Sequence, residues 1–361
     1  MNISILQPEV PHYRISFFQQ LKRLLKGEEN VYVYNSLKSS KKQGFNVDVS
    51  DISYIPNIKR GGFLIYNPFY LLNSKTDVLV LMFHFAHFTT WLLLLTKWLH
   101  RKKIILWGQG ISVKRYSNEE RKPNLLMKWQ LSLADGAWIY MPKEKEQWQR
   151  IFPKKPLAAL GNTIAGAMDM VNYQPSYTKE ELKQKYGIMQ DVIFIYCARF
   201  NTPLRRIDIW ERVINELDAH KYGFIVIGDG ESKPDLKKYA NVYDYGLLYD
   251  DSVKRELFAV ADAYFQVAWM GLSIVEAMAY GKPVFTFKRT EEIKQGVEYD
   301  YIRHGETGLL FDDYSDCLNQ INSINKQNIN EMGSKARELI RISATPSSMA
   351  NNAYSLLEKI I

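Results

Sequence analysis

Short apolar, β-rich runs alternate with amphipathic helical segments along nearly the whole chain, and this alternation constrains the fold more than any other feature. Strands separated by helices pair in parallel, because each crossover lays its helix on a face of the sheet. The expected strands fall at 3–6, 31–34, 78–82, 104–106, 138–140 and 157–160, then at 193–197, 224–227, 242–245, 263–266 and 284–287. Between the two sets, 161–177 holds glycines, Asn162, Asn172 and Pro175 without periodicity, the composition of an interdomain linker. At 361 residues the chain also exceeds what one hydrophobic core usually organises. Two Rossmann-like α/β domains are therefore expected, 1–165 and 166–345, with parallel sheets facing a central cleft. After Phe311 the pattern is helical, and 346–361 carries an apolar stripe suited to crossing back onto the first domain.

Hydrophobic residues at 46% and charged residues at 24% exclude a disordered chain. Cys197 and Cys317 lie in different halves without ligand-like spacing to histidines, which suggests neither a disulfide framework nor a zinc site and fits a reducing compartment. Residues 1–7 are stopped by Pro8 and lack the basic start and long apolar core of a signal peptide, so a cytoplasmic location is expected. The uncharged span 78–96 is long enough to suggest a membrane helix. His84 and His87 interrupt it, however, and it reads as a strand followed by a helix at 89–99, apolar nearly all round and expected to be buried. The formal charge is +8, with basic clusters at 97–103 and 115–128 interleaved with Trp98, Tyr116 and Trp129. That mix suits an anionic membrane interface, a nucleic-acid backbone or an ordinary solvated basic surface. A peripheral membrane contact, without nucleic acid, is the expectation taken forward.

The most informative segment is 268–285, AWMGLSIVEAMAYGKPVF. Gly271 allows close approach of the backbone to a ligand, and Ser273 is a candidate N-cap. A helix from Ile274 would turn its free amides toward the carboxyl edge of the sheet, a setting that suits phosphate. A blander reading competes: Ser273 and Glu276 have the spacing of a capping box. In GDGE, Asp229 and Glu231 follow a strand and are expected to cap a helix, and the missing third glycine argues against a dinucleotide fingerprint.

With this segment the sequence resembles the retaining GT-B glycosyltransferases, marked by an E-x(7)-E motif followed by an A-x-G-x-P-V-type strand entry. The stretch 194–208, FIYCARFNTPLRRID, resembles the family's strand-loop-helix that offers a basic pair to the donor diphosphate, here Arg199 and Arg205. The stretches 224–230 (FIVIGDG), 241–246, 261–265 and 304–311 (HGETGLLF) follow in the family's order. In the first half the likeness lies in the PHYRISFFQQL helix entry and the strand order.

The resemblance implies a GT-B fold, a nucleotide-sugar donor bound at Gly271, Leu272, Ser273 and Glu276, and Glu276 holding the ribose hydroxyls. The motif's first glutamate, which in the family contacts the transferred sugar, is replaced by Ala268, and Gln109 in LWGQG stands near where many relatives carry a histidine. Both departures touch the hexose and point to an unusual, deoxygenated or amino-modified sugar. Arginines and helix amides are suited to the charge developing on a leaving diphosphate. With no D-x-D triplet in the chain, metal-independent transfer is expected. His84, His12 and Arg14 are candidates for acceptor or donor contacts beside Gln109. In retaining front-side chemistry the leaving phosphate assists the incoming hydroxyl, so no paired carboxylates are needed. The expected activity is transfer to a glycan or lipid-linked acceptor in surface polysaccharide or lipopolysaccharide biosynthesis. An inverting transferase, an epimerase or hydrolase on the same fold, and a nucleotide-sugar-binding protein without turnover are the alternatives.

Overall fold

The structure, a computed structural model, describes residues 1–35, 52–72 and 75–361. Two compact units make up the chain, Met1–Ala165 together with Thr345–Ile361, and Gly166–Ala344.

The first unit is built on a seven-stranded sheet in the order β3-β2-β1-β6-β7-β8-β9. Its strands are β1 (Ile3–Gln7), β2 (Glu29–Val33), β3 (Ile52–Tyr54), β6 (Val78–Met82), β7 (Lys103–Gly108), β8 (Gly136–Ile139) and β9 (Leu157–Ala159), all paired in parallel. β1 and β8 are buried along their whole length, as expected of parallel strands covered on both faces. One face packs Ile3, Ile5 and Trp107 against Phe17 and Leu21 of helix Ile15–Leu25 and against Met349, Ala353 and Leu356 of the C-terminal helix Pro346–Ile360. The other packs Leu79, Leu81 and Leu106 against Leu93, Leu94, Met127 and Leu131 from helices Phe88–Leu95 and Leu125–Leu133.

Two local features depart from the sequence reading. β4 (Asn57–Arg60) and β5 (Phe63–Tyr66) form an antiparallel hairpin that helix-strand alternation did not suggest. Its turn is Gly61–Gly62, both at positive φ, the two-residue connection that matches strand twist. The expected buried helix at 89–99 is instead two helices, Phe88–Leu95 and Lys97–His100. Thr89, Thr90, Leu93 and Leu94 enter the core, but Leu92, Leu95, Trp98 and Leu99 face solvent. No helix among the described residues is long and apolar enough to cross a membrane.

The second unit holds a six-stranded parallel sheet in the order β12-β11-β10-β13-β14-β15. The strands are β10 (Val192–Cys197), β11 (Tyr222–Ile227), β12 (Val242–Asp244), β13 (Ala263–Phe265), β14 (Val284–Phe287) and β15 (Gly308–Phe311). Aromatic side chains on one face lock neighbouring strands together: the Phe194 ring lies 5.5 Å from Phe224, 5.8 Å from Phe265 and 5.9 Å from Phe285. Numbered within the unit, the order is 3-2-1-4-5-6, so connections run in opposite directions from β10 and β13 and leave a crevice beyond their carboxyl ends.

Candidate functional site

The expected donor residues lie on the segments that leave β10 and β13. Arg199 is exposed on the loop after β10, and Arg205 ends the short 3-10 turn Pro203–Arg205. Glycines hold this loop close. Gly228 has φ 141°, and a Cβ there would come within 2.0 Å of the Ala198 carbonyl oxygen; at Gly230, φ 147°, it would come within 2.5 Å of the Phe200 carbonyl oxygen. The GDG turn after β11 thus allows the Arg199 loop to lie against it. Asp229 and Glu231 do not open a helix there: Asp229 accepts from the Gly230 amide, and Asp235 caps the next turn, Leu236–Lys238.

Arg205 Nη1 donates to the Trp269 carbonyl at 3.4 Å, while its buried Nε has no hydrogen-bond partner. Trp269 has φ 54°, a left-handed conformation uncommon outside glycine. Its amide donates to the Lys294 carbonyl at 2.7 Å, and the buried Gln295 side chain donates to Val267 and accepts from Met270, pinning both ends of the 267–270 loop. The Tyr196 hydroxyl belongs to the same cluster: burial pushes it up to about 12, with Arg205 opposing the shift. Tyr264 on β13 donates to Gln266 at 2.6 Å, and burial raises it strongly against a stabilising bond with Ser273. Arg205, Ser273 and the β10 end therefore meet around Tyr196 and Tyr264.

Ser273 is not the N-cap. The helix spans Ser273–Ala279 with Leu272 at the cap and no side-chain cap bond, so the capping box does not form. Glu276 instead pairs with Lys254 of helix Asp251–Val260 at 2.5 Å and accepts weakly from the Cys197 thiol at 4.0 Å. Burial, then the Glu276 charge, pushes that thiol up to about 12, which keeps it a neutral donor. Burial works against the Lys254 charge, but Cys197 and Glu276 outweigh it and hold this lysine above its ordinary value. A carboxylate with one oxygen held by a lysine is a fixed acceptor suited to a vicinal diol.

Lys254 and Glu298 were not among the residues singled out in the sequence. Glu298 is buried, and its Oε2 lies 4.0 Å from where a Gly271 Cβ would stand. A carboxylate therefore reaches the glycine turn from a later element, whereas Ala268 is fully buried and its carbonyl accepts from Gln266. No run of sequence links these residues to the 268–285 segment, so only the fold reveals them.

In the first unit, His84 and Gln109 line a cavity of about 360 Å³ with Ser112, Arg115 and Tyr140, at the carboxyl ends of β6 and β7. His84 Nδ1 accepts from the Ala86 amide, leaving Nε2 as the donor of the neutral ring. Burial and Arg115 lower its pKa. His12 stands exposed on the turn after β1 and does not line this cavity. Arg14 is buried and engaged within the unit, donating to Asn162 at 2.6 Å and to the Met349 sulfur at 2.9 Å. That geometry ties the C-terminal helix to the sheet. A larger hollow of about 650 Å³ beside Lys97, Asp135 and Lys155 contains none of the expected site residues. Two of its cations are engaged, Lys97 with Asp135 at 2.9 Å and Lys155 with the Ala134 carbonyl at 2.5 Å.

Two Rossmann-like units with these strand orders define the GT-B class. Solved structures share the fold along the whole chain. The apo lipopolysaccharide outer core galactosyltransferase WaaB has a TM-score of 0.67 at 14% identity, covering 100% of both chains. The sucrose-phosphate synthase of Thermosynechococcus elongatus has 0.65 at 15%, covering 100% of this chain and 99% of that one. HepE of Anabaena, solved with UDP and glucose, has 0.63 at 14%, covering 99% of each. More particularly, residues 191–326 match the profile of the family described as Glycosyl transferases group 1. No curated protein sequence matches the chain.

Proposed function

We propose that the chain is a nucleotide-sugar-dependent glycosyltransferase of the retaining type. It moves a hexose or related sugar to a glycan or lipid-linked acceptor in surface polysaccharide or lipopolysaccharide biosynthesis, on the cytoplasmic side of a membrane. The observation that carries this reading is the Arg205 guanidinium, with an unpartnered buried Nε at the switch point of a Rossmann sheet and the group 1 profile spanning it. In this reading Arg199 and Arg205 bind the diphosphate, Gly271, Leu272 and Ser273 offer backbone to it, and Glu276, steadied by Lys254, takes the ribose hydroxyls.

As the bond from the sugar's anomeric carbon to the phosphate oxygen breaks, its electron pair passes to the diphosphate. The guanidinium charges stabilise that leaving group without requiring a metal. The acceptor oxygen bonds to the anomeric carbon, and its proton goes to the leaving phosphate. His84 and Gln109 form the acceptor or sugar side; His12 and Arg14, which do not line their cavity, remain further candidates for acceptor contact. In this reading the replacement of the family's first glutamate by Ala268 favours a deoxygenated or amino-modified sugar.

HepE was solved with UDP and glucose, and WaaB is a galactosyltransferase, so UDP-sugars stand first in the donor panel. Incubation with NDP-sugars and an acceptor mixture in chelator, read by mass spectrometry and by NMR at the anomeric centre, should give a product that retains configuration. An inverted product, or free sugar formed without acceptor, would overturn the retaining transferase. Ala268 also favours a second reading, a nucleotide-sugar-binding protein without turnover. Stabilisation by NDP-sugars with no product from any donor would select it.

A further inference from the structure

We infer that the outer surface formed by the β4–β5 hairpin and helices Phe88–Leu95, Lys97–His100 and Leu125–Leu133 docks the protein on an anionic lipid surface. This deepens the membrane-side acceptor of the proposed function by naming the face. These elements cover the same side of the first sheet: Leu64, Leu93, Leu94, Met127 and Leu131 share one core. Thr89 bonds the hairpin backbone at Tyr66 in both directions, and Thr90 meets the Tyr66 hydroxyl, so hairpin and helix form one layer.

The outside of that layer is unusually apolar. Trp98 is 74% exposed, Phe69 79%, Ile58 66%, Leu95 61%, Leu125 60% and Trp129 56%. Single exposed apolar residues need no explanation, but a group of large ones on the elements of one layer does. Charge complementarity says what covers it. The segments 52–72, 78–103 and 122–134 contain no aspartate or glutamate, yet they bring Arg60, Arg101 and Lys128 to the same layer. None of those three forms an ion pair among the described residues. Of the acids nearest these segments, Asp135 pairs with Lys97 and Lys103, Glu119 with Arg115 and Glu120 with Lys143, while Asp77 accepts from the Asn2 amide.

A cationic, carboxylate-free surface with tryptophans and long aliphatic side chains suits the headgroup boundary, where rings sit at the interface, aliphatics enter the acyl layer and cations meet lipid phosphate. A second copy would set cation against cation across a two-fold interface. Nucleic acid offers no apolar volume for Leu95 or Leu125.

The test is flotation of the full chain with vesicles of phosphatidylcholine, with and without phosphatidylglycerol, in the absence of donor and acceptor. The protein should float with the phosphatidylglycerol vesicles and remain at the bottom with phosphatidylcholine alone. Arg101→Gln and Lys128→Gln should each reduce partitioning about fivefold. The double variant Trp98→Glu/Trp129→Glu should abolish it while melting like the parent, because both side chains lie outside the core. Absence of flotation with phosphatidylglycerol overturns the inference, as does flotation unchanged in the tryptophan variant. So does light scattering showing a dimer that the same variant dissolves without any vesicle binding. Nucleotide affinity measured on the same preparations keeps the two readings apart: vesicle binding without it sinks the donor site alone, and the reverse sinks only the docking face.

Discussion

Arg205 brings a guanidinium into the second unit with a buried Nε that no hydrogen bond satisfies and the Tyr196 hydroxyl beside it. An anionic ligand would supply the missing acceptor. Arg205→Ala should therefore weaken nucleoside diphosphate binding by about 1–3 kcal/mol while leaving the melting temperature of the free protein unchanged or slightly raised. Calorimetry beside a thermal melt checks both halves, and a large fall in stability would reassign Arg205 to the scaffold. For Glu276 the expectation differs, because its removal strands the partly buried Lys254. Glu276→Gln should lower both affinity and melting temperature; adding Lys254→Met should restore stability but not binding, a non-additivity that a double-mutant cycle reads directly. Arg199, Arg205 and Glu276 are legible in the sequence as candidates because they stand in contiguous motifs. Lys254, Gln295 and Glu298 are not, since each reaches the candidate site from another element. Ser273 misled as a cap because Leu272 occupies that position, which frees Glu276 for Lys254.

The loop after β10 keeps its path because two glycines lie against it. Gly230→Ala would place a methyl 2.5 Å from the Phe200 carbonyl at φ 147°, so it should destabilise by more than about 1 kcal/mol and reduce donor affinity through the displaced Arg199 loop. Unchanged affinity would separate that loop from the site. Where the hairpin meets helix Phe88–Leu95, His87 is buried against Tyr34. Burial, then His84 and Lys59, depresses its pKa from 6.5 to about 3. The unfolded chain therefore binds the extra proton between those values. The stability gained from the neutral ring is complete above pH 6.5 and is lost as pH falls toward about 3. His87→Phe should flatten that acid limb in a series of thermal melts, and an unaltered limb would contradict the assignment. The central strands were readable because parallel strands covered on both faces are continuous apolar runs. The stretch at 89–99 resisted, since a segment apolar on every side carries no phase to say which side is buried.

Strand alternation was enough to define the α/β class, and the structure adds the GT-B likeness along the whole chain. What alternation could not supply was the antiparallel hairpin, whose signal is a Gly-Gly turn and not a helix-strand period. The C-terminal helix Pro346–Ile360 closes the first unit by covering Phe17 and Trp107 with Met349, Ala353 and Leu356. Truncation after residue 345 should therefore expose that core and yield insoluble or proteolysed protein, whereas limited digestion leaving a stable shortened chain would show the helix to be dispensable. Sugar transfer of this kind requires that the second unit grip a pyrophosphate. Isothermal titration of the full chain and of Arg205→Ala with UDP, GDP, ADP and dTDP is the direct measurement. It should show saturable binding of at least one nucleoside diphosphate that is lost or weakened about fivefold or more in the variant; heats indistinguishable from dilution for all four, or equal affinity in both proteins, would contradict it.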